Sequence, residues 1–122
     1  MSILGIGNDI VEIDRIQALL EHHPVKFLDK LLTEKEKLEF KKRNESILYI
    51  AGRFTAKEAI VKALGTGFGE IGFHDIEVLA DAKGKPNVYF SDALRKKIEK
   101  SQIMVSISHC KNYATAVAIW MN

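Results

Sequence analysis

Asp9 and Glu58 are the two carboxylates whose sequence surroundings are most unusual for a charged group. Asp9 interrupts the mostly apolar run at residues 3–13, where an ionised carboxylate is costly unless a cation or hydrogen-bond donors compensate it. Glu58 lies with Phe54 and Val61 on an apolar line at helical spacing. Because no His or Cys lies nearby in sequence, two inward carboxylates favour a hard cation such as Mg²⁺. The alternative for Asp9 is that backbone N–H groups or an Arg compensate its charge.

Lys62 follows Glu58 by one helical turn, which places it about 6 Å further along the helix axis. A diphosphate bound beside a metal ion would still bring uncompensated negative charge, and an ammonium at this spacing could meet it. The alternative is a surface ion pair between Glu58 and Lys62, which is commonly worth only about 0.3–0.5 kcal/mol.

A glycine-rich turn, Gly65-Thr66-Gly67, follows the same helical pattern. In a phosphate-binding P-loop the glycines precede a helix, whereas here they follow one. The sequence therefore favours a C-terminal helix cap. Any phosphate nearby would be held by local N–H groups, Lys62 or a metal ion, because a helix C-terminus carries partial negative charge.

His109 ends a strand-like run, at a place where functional groups often occur. It could donate to a phosphate or carry a proton, and the alternative is a half-buried imidazole bonded to a carbonyl. A nucleophile pair with Cys110 is disfavoured, because adjacent strand residues point to opposite faces.

Basic side chains at Arg15, Lys26 and residues 41–43 could form a positive surface for an acidic protein partner. Solvated helix faces are the more common explanation of such runs. The formal charge of the whole chain is only +2, from 18 Lys and Arg against 16 Asp and Glu, which does not favour a nucleic-acid partner.

The chain of 122 residues is predicted to form one domain, 1–122, in a reducing, cytoplasmic compartment. Its single cysteine, Cys110, cannot form an intrachain disulfide, no apolar run approaches the roughly 20 residues that span a membrane, and the N-terminus lacks the features of a secretory signal.

Periodicity and capping signals predict an α+β protein with a long helix in the middle of the chain. The first strand is expected to be buried, with Gly5 and Gly7 where another backbone or a ligand comes close. Both faces of the last strand are apolar enough to be covered by other elements or subunits. The predicted elements are a strand at 3–13, a helix capped by Asp14, a helix from Thr33 to about Arg43, a helix from 47 to 65, a hairpin at 74–79 and 87–90, a helix capped by Ser91, and strands at 103–108 and 113–121.

Three motifs, in order, extend over nearly the whole chain: GIGNDIVEI at 5–13, FTAKEA at 54–59 continued by KALGTG at 62–67, and SISH at 106–109. With them the sequence resembles the holo-acyl-carrier-protein synthases of the 4′-phosphopantetheinyl transferase superfamily. The resemblance implies a single compact domain with a long central helix on a mostly antiparallel sheet. It also implies an enzyme that transfers phosphopantetheine from coenzyme A to an acyl carrier protein in fatty acid biosynthesis.

The same resemblance implies roles for individual residues. Asp9 and Glu58 would bind magnesium, Lys62 would contact the coenzyme A diphosphate, and Arg15 would belong to the surface that docks the acidic carrier. A homotrimer with sites at subunit interfaces is implied, in which Gly65, Thr66 and Gly67 would help to hold the nucleotide. The neighbouring subunit would contribute Pro86, within Gly84-Lys85-Pro86, and His109.

Two other functions remain open from the residues alone. A coenzyme-A-binding module that no longer transfers the group would not need Asp9, Glu58 and Lys62 together. An RNA- or protein-binding domain would need a more basic surface or exposed aromatic platforms.

Overall fold

The computed structural model describes residues 2–65 and 69–122. The predicted nucleotide contacts Thr66 and Gly67 lie outside these residues. The elements in chain order are β1 (Ile3–Glu12), α1 (Ile13–His22), α2 (Pro24–Leu31), α3 (Glu34–Lys42), α4 (Ile47–Leu64), a short 3₁₀ turn (Phe73–Asp75), β2 (Ile76–Ala80), β3 (Pro86–Phe90), α5 (Asp92–Ile98), β4 (Gln102–His109) and β5 (Tyr113–Met121).

The strands form two antiparallel sheets, so the fold is α+β as predicted. The three-stranded sheet has the order β1-β5-β4, and β2 pairs with β3 as the predicted hairpin. Both termini of the chain thus meet in one sheet, with Asp9 opposite Ala116 in the register of β1 and β5. The helix α4 packs across this sheet and is the element that the strands share.

Two glycines of β1 allow α4 to approach closely. A methyl group at Gly5 would overlap the carbonyl oxygen of Ala63, and one at Gly7 would overlap that of Ala59 and lie 2.6 Å from the amide nitrogen of Ala63. The predicted close approach at Gly5 and Gly7 is therefore confirmed, and the approaching group is a backbone. This contact brings β1, with Asp9 on the same face, directly against the helix.

The prediction that β1 is buried is wrong for the isolated chain. The face opposite α4 is open, and Ile6 and Ile10 are 66% and 64% exposed. An apolar run shows that both faces avoid polar residues, but α4 covers only one of them. The same open face carries Val117 of the central strand, which is 39% exposed.

Local capping signals fix most of the helix starts. Thr33 and Glu36 form the predicted capping box of α3, and Ser91 caps α5 through the amide of Leu94. At α1 the prediction is wrong by two residues, because Glu12 is the N-cap and Asp14 lies within the first turn. The helix α2 was not predicted.

A buried ion pair between Lys57 and Glu36 joins five elements of the chain. The Lys57 ammonium donates to Glu36 Oε1 (2.7 Å) and to the carbonyls of Leu31 (2.7 Å) and Phe73 (3.0 Å). The other Glu36 oxygen accepts from the amide of Val78 at 2.7 Å. Burial lowers the pKa of Lys57, and Glu36 opposes this shift. All three ammonium protons have acceptors, which such a buried charge requires.

Among the described residues, none of the helices combines the length and apolarity needed to cross a lipid bilayer.

Candidate functional site

Asp9 is held between two side chains of α4. Its Oδ2 accepts from Thr55 Oγ1 at 2.9 Å, and its Oδ1 accepts from Lys62 Nζ at 3.0 Å. The Asp9 side chain is only 14% exposed. The carboxylate therefore has the partners that its apolar surroundings require, and these partners come from the helix rather than from the backbone or an Arg.

Lys62 bridges α4 to β1. Besides Asp9, its ammonium donates to the carbonyl of Asn8 at 3.2 Å. The pairing with Asp9 differs from the surface pair with Glu58 that the spacing left open. Because 55% of the Lys62 side chain is exposed, the ammonium can exchange Asp9 for another anion without leaving a buried pocket.

Glu58 is half-buried on α4 beside this pair. Burial raises the pKa of its carboxyl, the charge of Asp9 raises it further, and Lys62 opposes both effects. A cation bound beside the two carboxylates would relieve both their mutual repulsion and the cost of partly burying Glu58. The structure therefore brings Asp9, Glu58 and Lys62 into one electrostatic cluster, as the sequence predicted.

The donor set of this cluster fits magnesium better than a fully protein-coordinated metal. Within residues 2–65 and 69–122, no three His, Cys, Asp or Glu side chains are grouped to hold a metal. Magnesium usually binds through one or two carboxylates and completes its shell with waters and substrate phosphates. Asp9 and Glu58 supply that number of carboxylates.

Two hollows adjoin the cluster. One, of about 600 Å³, is lined by Asp9 and Lys62 together with polar residues of the sheet, including Ser106 and Ser108. The other, of about 450 Å³, is lined by Glu58 with residues 70–73 and Lys30.

A third cleft, of about 410 Å³, collects Gly84, Pro86 and His109 with the two arginines Arg43 and Arg53. The structure thus brings Pro86 and His109 together, although they are 23 positions apart in sequence. Asp9, Glu58 and Lys62 do not line this cleft, so a single chain presents the two groups of predicted site residues in different places.

Arg53 is the residue of this cleft that sequence reasoning missed. It is 7% exposed, its Nε donates to the Val78 carbonyl at 3.1 Å, and its Nη2 donates to Glu39 Oε1 at 2.9 Å. The signal that could have found it is the one that identified Asp9, namely a charged residue within the apolar stretch YIAGRF.

Gly65 and Arg15 occupy their predicted local settings. Gly65 ends α4 with a positive φ of 73°, and its amide donates to the Val61 carbonyl at 3.0 Å, as expected of a helix cap. Arg15 is exposed on α1, where it lines a shallow surface hollow with Leu19 and His22.

Known proteins are similar to this protein over nearly the whole chain. Residues 5–118 match the model of the 4′-phosphopantetheinyl transferase superfamily. A holo-[acyl-carrier-protein] synthase of Protochlamydia amoebophila is 49% identical over 118 residues, covering 96% of this chain and 97% of that protein. The crystal structure of a holo-[acyl-carrier-protein] synthase from Neisseria meningitidis has a TM-score of 0.92 and 36% identity, and covers 99% of this chain and 100% of that one. A Bacillus anthracis synthase in complex with CoA (3′,5′-ADP) has a TM-score of 0.82 and 40% identity, covering 98% and 97%.

Proposed function

Because the chain belongs to the 4′-phosphopantetheinyl transferase superfamily, we infer that it transfers the 4′-phosphopantetheine group of coenzyme A to a serine of apo-acyl carrier protein. The products are holo-acyl carrier protein and adenosine 3′,5′-bisphosphate, and the reaction serves fatty acid biosynthesis. The observation that carries this conclusion is the meeting of Asp9, Glu58 and Lys62 where β1 contacts α4, in a chain that matches named synthases over almost its full length.

We propose further that Asp9 and Glu58 hold a magnesium ion. The repulsion that raises the pKa of Glu58 and the number of carboxylates support this assignment. When bound, magnesium would neutralise charge on the diphosphate of coenzyme A and on the two carboxylates.

In the proposed reaction the carrier serine oxygen attacks the pantetheine-side phosphorus of the diphosphate. A new phosphorus–oxygen bond forms, the phosphoanhydride bond breaks, and its electron pair leaves on the phosphate of adenosine 3′,5′-bisphosphate. Glu58 accepts the serine proton, directly or through a water molecule, because it lies beside the proposed metal ion. Lys62 exchanges Asp9 for the leaving phosphate, which its exposed ammonium can reach.

The cleft that contains Pro86 and His109 is proposed to bind another part of coenzyme A. Coenzyme A carries a 3′-phosphate apart from its diphosphate, and Lys62 is assigned to the diphosphate. The guanidinium of Arg53 and the exposed Arg43 give this cleft the positive charge that the remaining phosphate needs. Gly65, Thr66 and Gly67 are proposed to help to hold the nucleotide.

A homotrimer would bring these separate groups together. We propose that Asp9, Glu58 and Lys62 of one subunit face Pro86 and His109 of its neighbour. The open face of the three-stranded sheet supports this assembly, because several large apolar side chains on it are exposed to solvent in the single chain. Its exposed apolar members include Ile6, Ile10, Met104 and Val117.

Arg15 is proposed to dock the acidic carrier protein through the exposed surface of α1. Arg15→Ala should raise the KM for apo-carrier several-fold while leaving the kcat nearly unchanged, because Arg15 lies outside the Asp9–Glu58–Lys62 cluster. Steady-state transfer assays at varied carrier concentration measure this. Lys97→Ala removes a positive charge from α5 and serves as the control; an equal effect in both variants would indicate non-specific attraction.

The decisive test is incubation of the protein with coenzyme A, magnesium and apo-acyl carrier protein, followed by intact mass measurement of the carrier. A phosphopantetheine adduct is expected with the wild type and with Asp14→Asn, whose carboxylate is exposed on α1. Asp9→Asn should give none. Coenzyme A binding without an adduct in the wild type would overturn the transferase assignment and favour a binding module.

A cytoplasmic location is part of the proposal. The one cysteine, Cys110, is free and exposed, which suits a reducing compartment where thiols persist.

A further inference from the structure

We propose that Glu39 and Tyr49 are positioning residues that hold Arg53 in place as the anion-binding group of the third cleft. The inference rests on the proposed function, which places coenzyme A in that cleft. It concerns two residues whose side chains act through Arg53 rather than on the substrate.

Glu39 is fixed by three hydrogen bonds from two other elements, α4 and β2. Its Oε1 accepts from Arg53 Nη2 at 2.9 Å and from the Tyr49 hydroxyl at 3.0 Å. Its Oε2 accepts from the amide of Ala80 at 2.9 Å. Because donors on α4 and β2 bind both oxygens of the Glu39 carboxylate, the carboxylate has one orientation. The Arg53 guanidinium that donates to it is therefore held in one orientation as well.

Tyr49 restrains Arg53 in two ways. Its ring lies under the guanidinium, with the central carbon 4.3 Å from the ring centroid, and its single hydroxyl proton is shared between Glu39 Oε1 and the Glu36 carbonyl, which lies 3.1 Å from the hydroxyl oxygen. Burial raises the pKa of the Tyr49 phenol well above its ordinary value, so the hydroxyl remains a donor to Glu39 throughout the working range. The ring stacks on the cation, and the hydroxyl fixes its carboxylate partner.

The hydrogen bonds of Arg53 leave some of its N–H groups available to a ligand. A guanidinium has five N–H donors, and within the described residues one from Nε and one from Nη2 are bonded, to Val78 and Glu39. The group is 7% exposed and forms part of the cleft wall. An arginine held in this way has already lost the side-chain entropy that phosphate binding would otherwise cost.

The negative charge of Glu39 makes two opposite predictions for coenzyme A affinity possible, and these can be tested. If Glu39 acted on the ligand only through its charge, it would repel a phosphate, and removing it would tighten coenzyme A binding. If it positions Arg53, removing it weakens binding in spite of the lost repulsion.

The experiment compares the steady-state constants of Glu39→Gln and Tyr49→Phe for coenzyme A and for dephospho-coenzyme A, which lacks the 3′-phosphate. We expect the KM for coenzyme A to rise roughly three- to tenfold in each variant, as for the loss of one hydrogen bond. The kcat and the KM for dephospho-coenzyme A should stay near the wild-type values. Tyr49→Phe keeps the ring under Arg53, so it isolates the hydroxyl.

Glu34→Gln is the matched control, because it removes the same charge from the exposed side of the same helix. It should leave both KM values unchanged. Tighter coenzyme A binding in Glu39→Gln, equal losses for the two substrates, or wild-type constants in Tyr49→Phe would each overturn the proposal. If the wild type transfers no group, the proposed function fails, and calorimetric binding of the two ligands to the same variants still tests the positioning roles.

Discussion

At the residue scale, Glu58 combines a destabilising position with a proposed catalytic role. Burial and Asp9 both raise its pKa above the ordinary value of 4.5. A carboxyl whose pKa is raised by folding does not affect the free energy of unfolding below its ordinary pKa, where it is protonated in both states. Above the raised pKa it lowers the free energy of unfolding by its full amount. The folded protein therefore loses stability from the ionisation of Glu58 as the pH rises through this window.

Glu58→Gln should abolish phosphopantetheine transfer and, without magnesium, raise the midpoint of thermal unfolding at neutral pH. The stabilisation should vanish well below pH 4.5, where the wild-type carboxyl is protonated in both the folded and unfolded states. Thermal unfolding at several pH values measures it, with Glu34→Gln as the control for loss of an exposed carboxylate. A constant difference at all pH values would show that the charge of Glu58 is not its cause.

Magnesium should reverse the order of the unfolding midpoints, so that the wild type becomes more stable than Glu58→Gln. A ligand that binds only the folded state stabilises it, so magnesium should raise the unfolding midpoint of the wild type and have little effect on Glu58→Gln. Equal magnesium shifts in both proteins would contradict the assignment of Glu58 as a ligand, whatever the activity.

At the scale of elements, the contact between β1 and α4 decides whether Asp9 reaches its helix partners. Gly7→Ala should lower the free energy of unfolding by roughly 3 kcal/mol or more, because the added methyl group would overlap helix backbone that cannot rotate away. Chemical denaturation measures the loss. The variant should also bind magnesium less tightly, since β1 carries Asp9.

Gly72→Ala is the control for the Gly7 substitution. A methyl group there would lie 3.7 Å from Asp75 Oδ2, an ordinary contact distance, so stability should change little. Wild-type stability in Gly7→Ala would mean that β1 and α4 can separate without cost.

At the scale of the whole molecule, the open sheet face is the surface on which the proposed trimer depends. Ile6→Lys places a charge among the exposed apolar side chains of this face. Ile6 itself lines none of the three cavities that contain the predicted site residues. Burying that charge in an interface is costly. The variant should become monomeric by light scattering and lose at least about tenfold in transfer rate, since each site would need two subunits.

Val25→Lys is the corresponding control, because Val25 is 71% exposed on α2 and not on the sheet. It should remain a trimer with normal activity. A monomeric wild type with full activity would reject the assembly.

The sequence by itself determined the elements whose signals are local. The capping box at Thr33, the cap at Ser91 and the hairpin residues are read from spacings of a few positions, and the structure confirms them. The unusual carboxylates Asp9 and Glu58 were also recognisable, because a charge within an apolar pattern must have a partner. Sequence failed at α2, which starts at Pro24 only two residues after α1 ends, since two short adjacent helices give no distinct period.

Tertiary structure alone decided which partners those residues have. Asp9 meets Thr55 and Lys62 across separations of 46 and 53 positions, and Lys57 meets Glu36 across 21. Arg53 likewise obtains Glu39 and its cleft from the packing of α3, α4 and β2. Periodicity gives the faces of each element but not the elements that cover them, so distant pairing and the open sheet face follow only from the assembled fold.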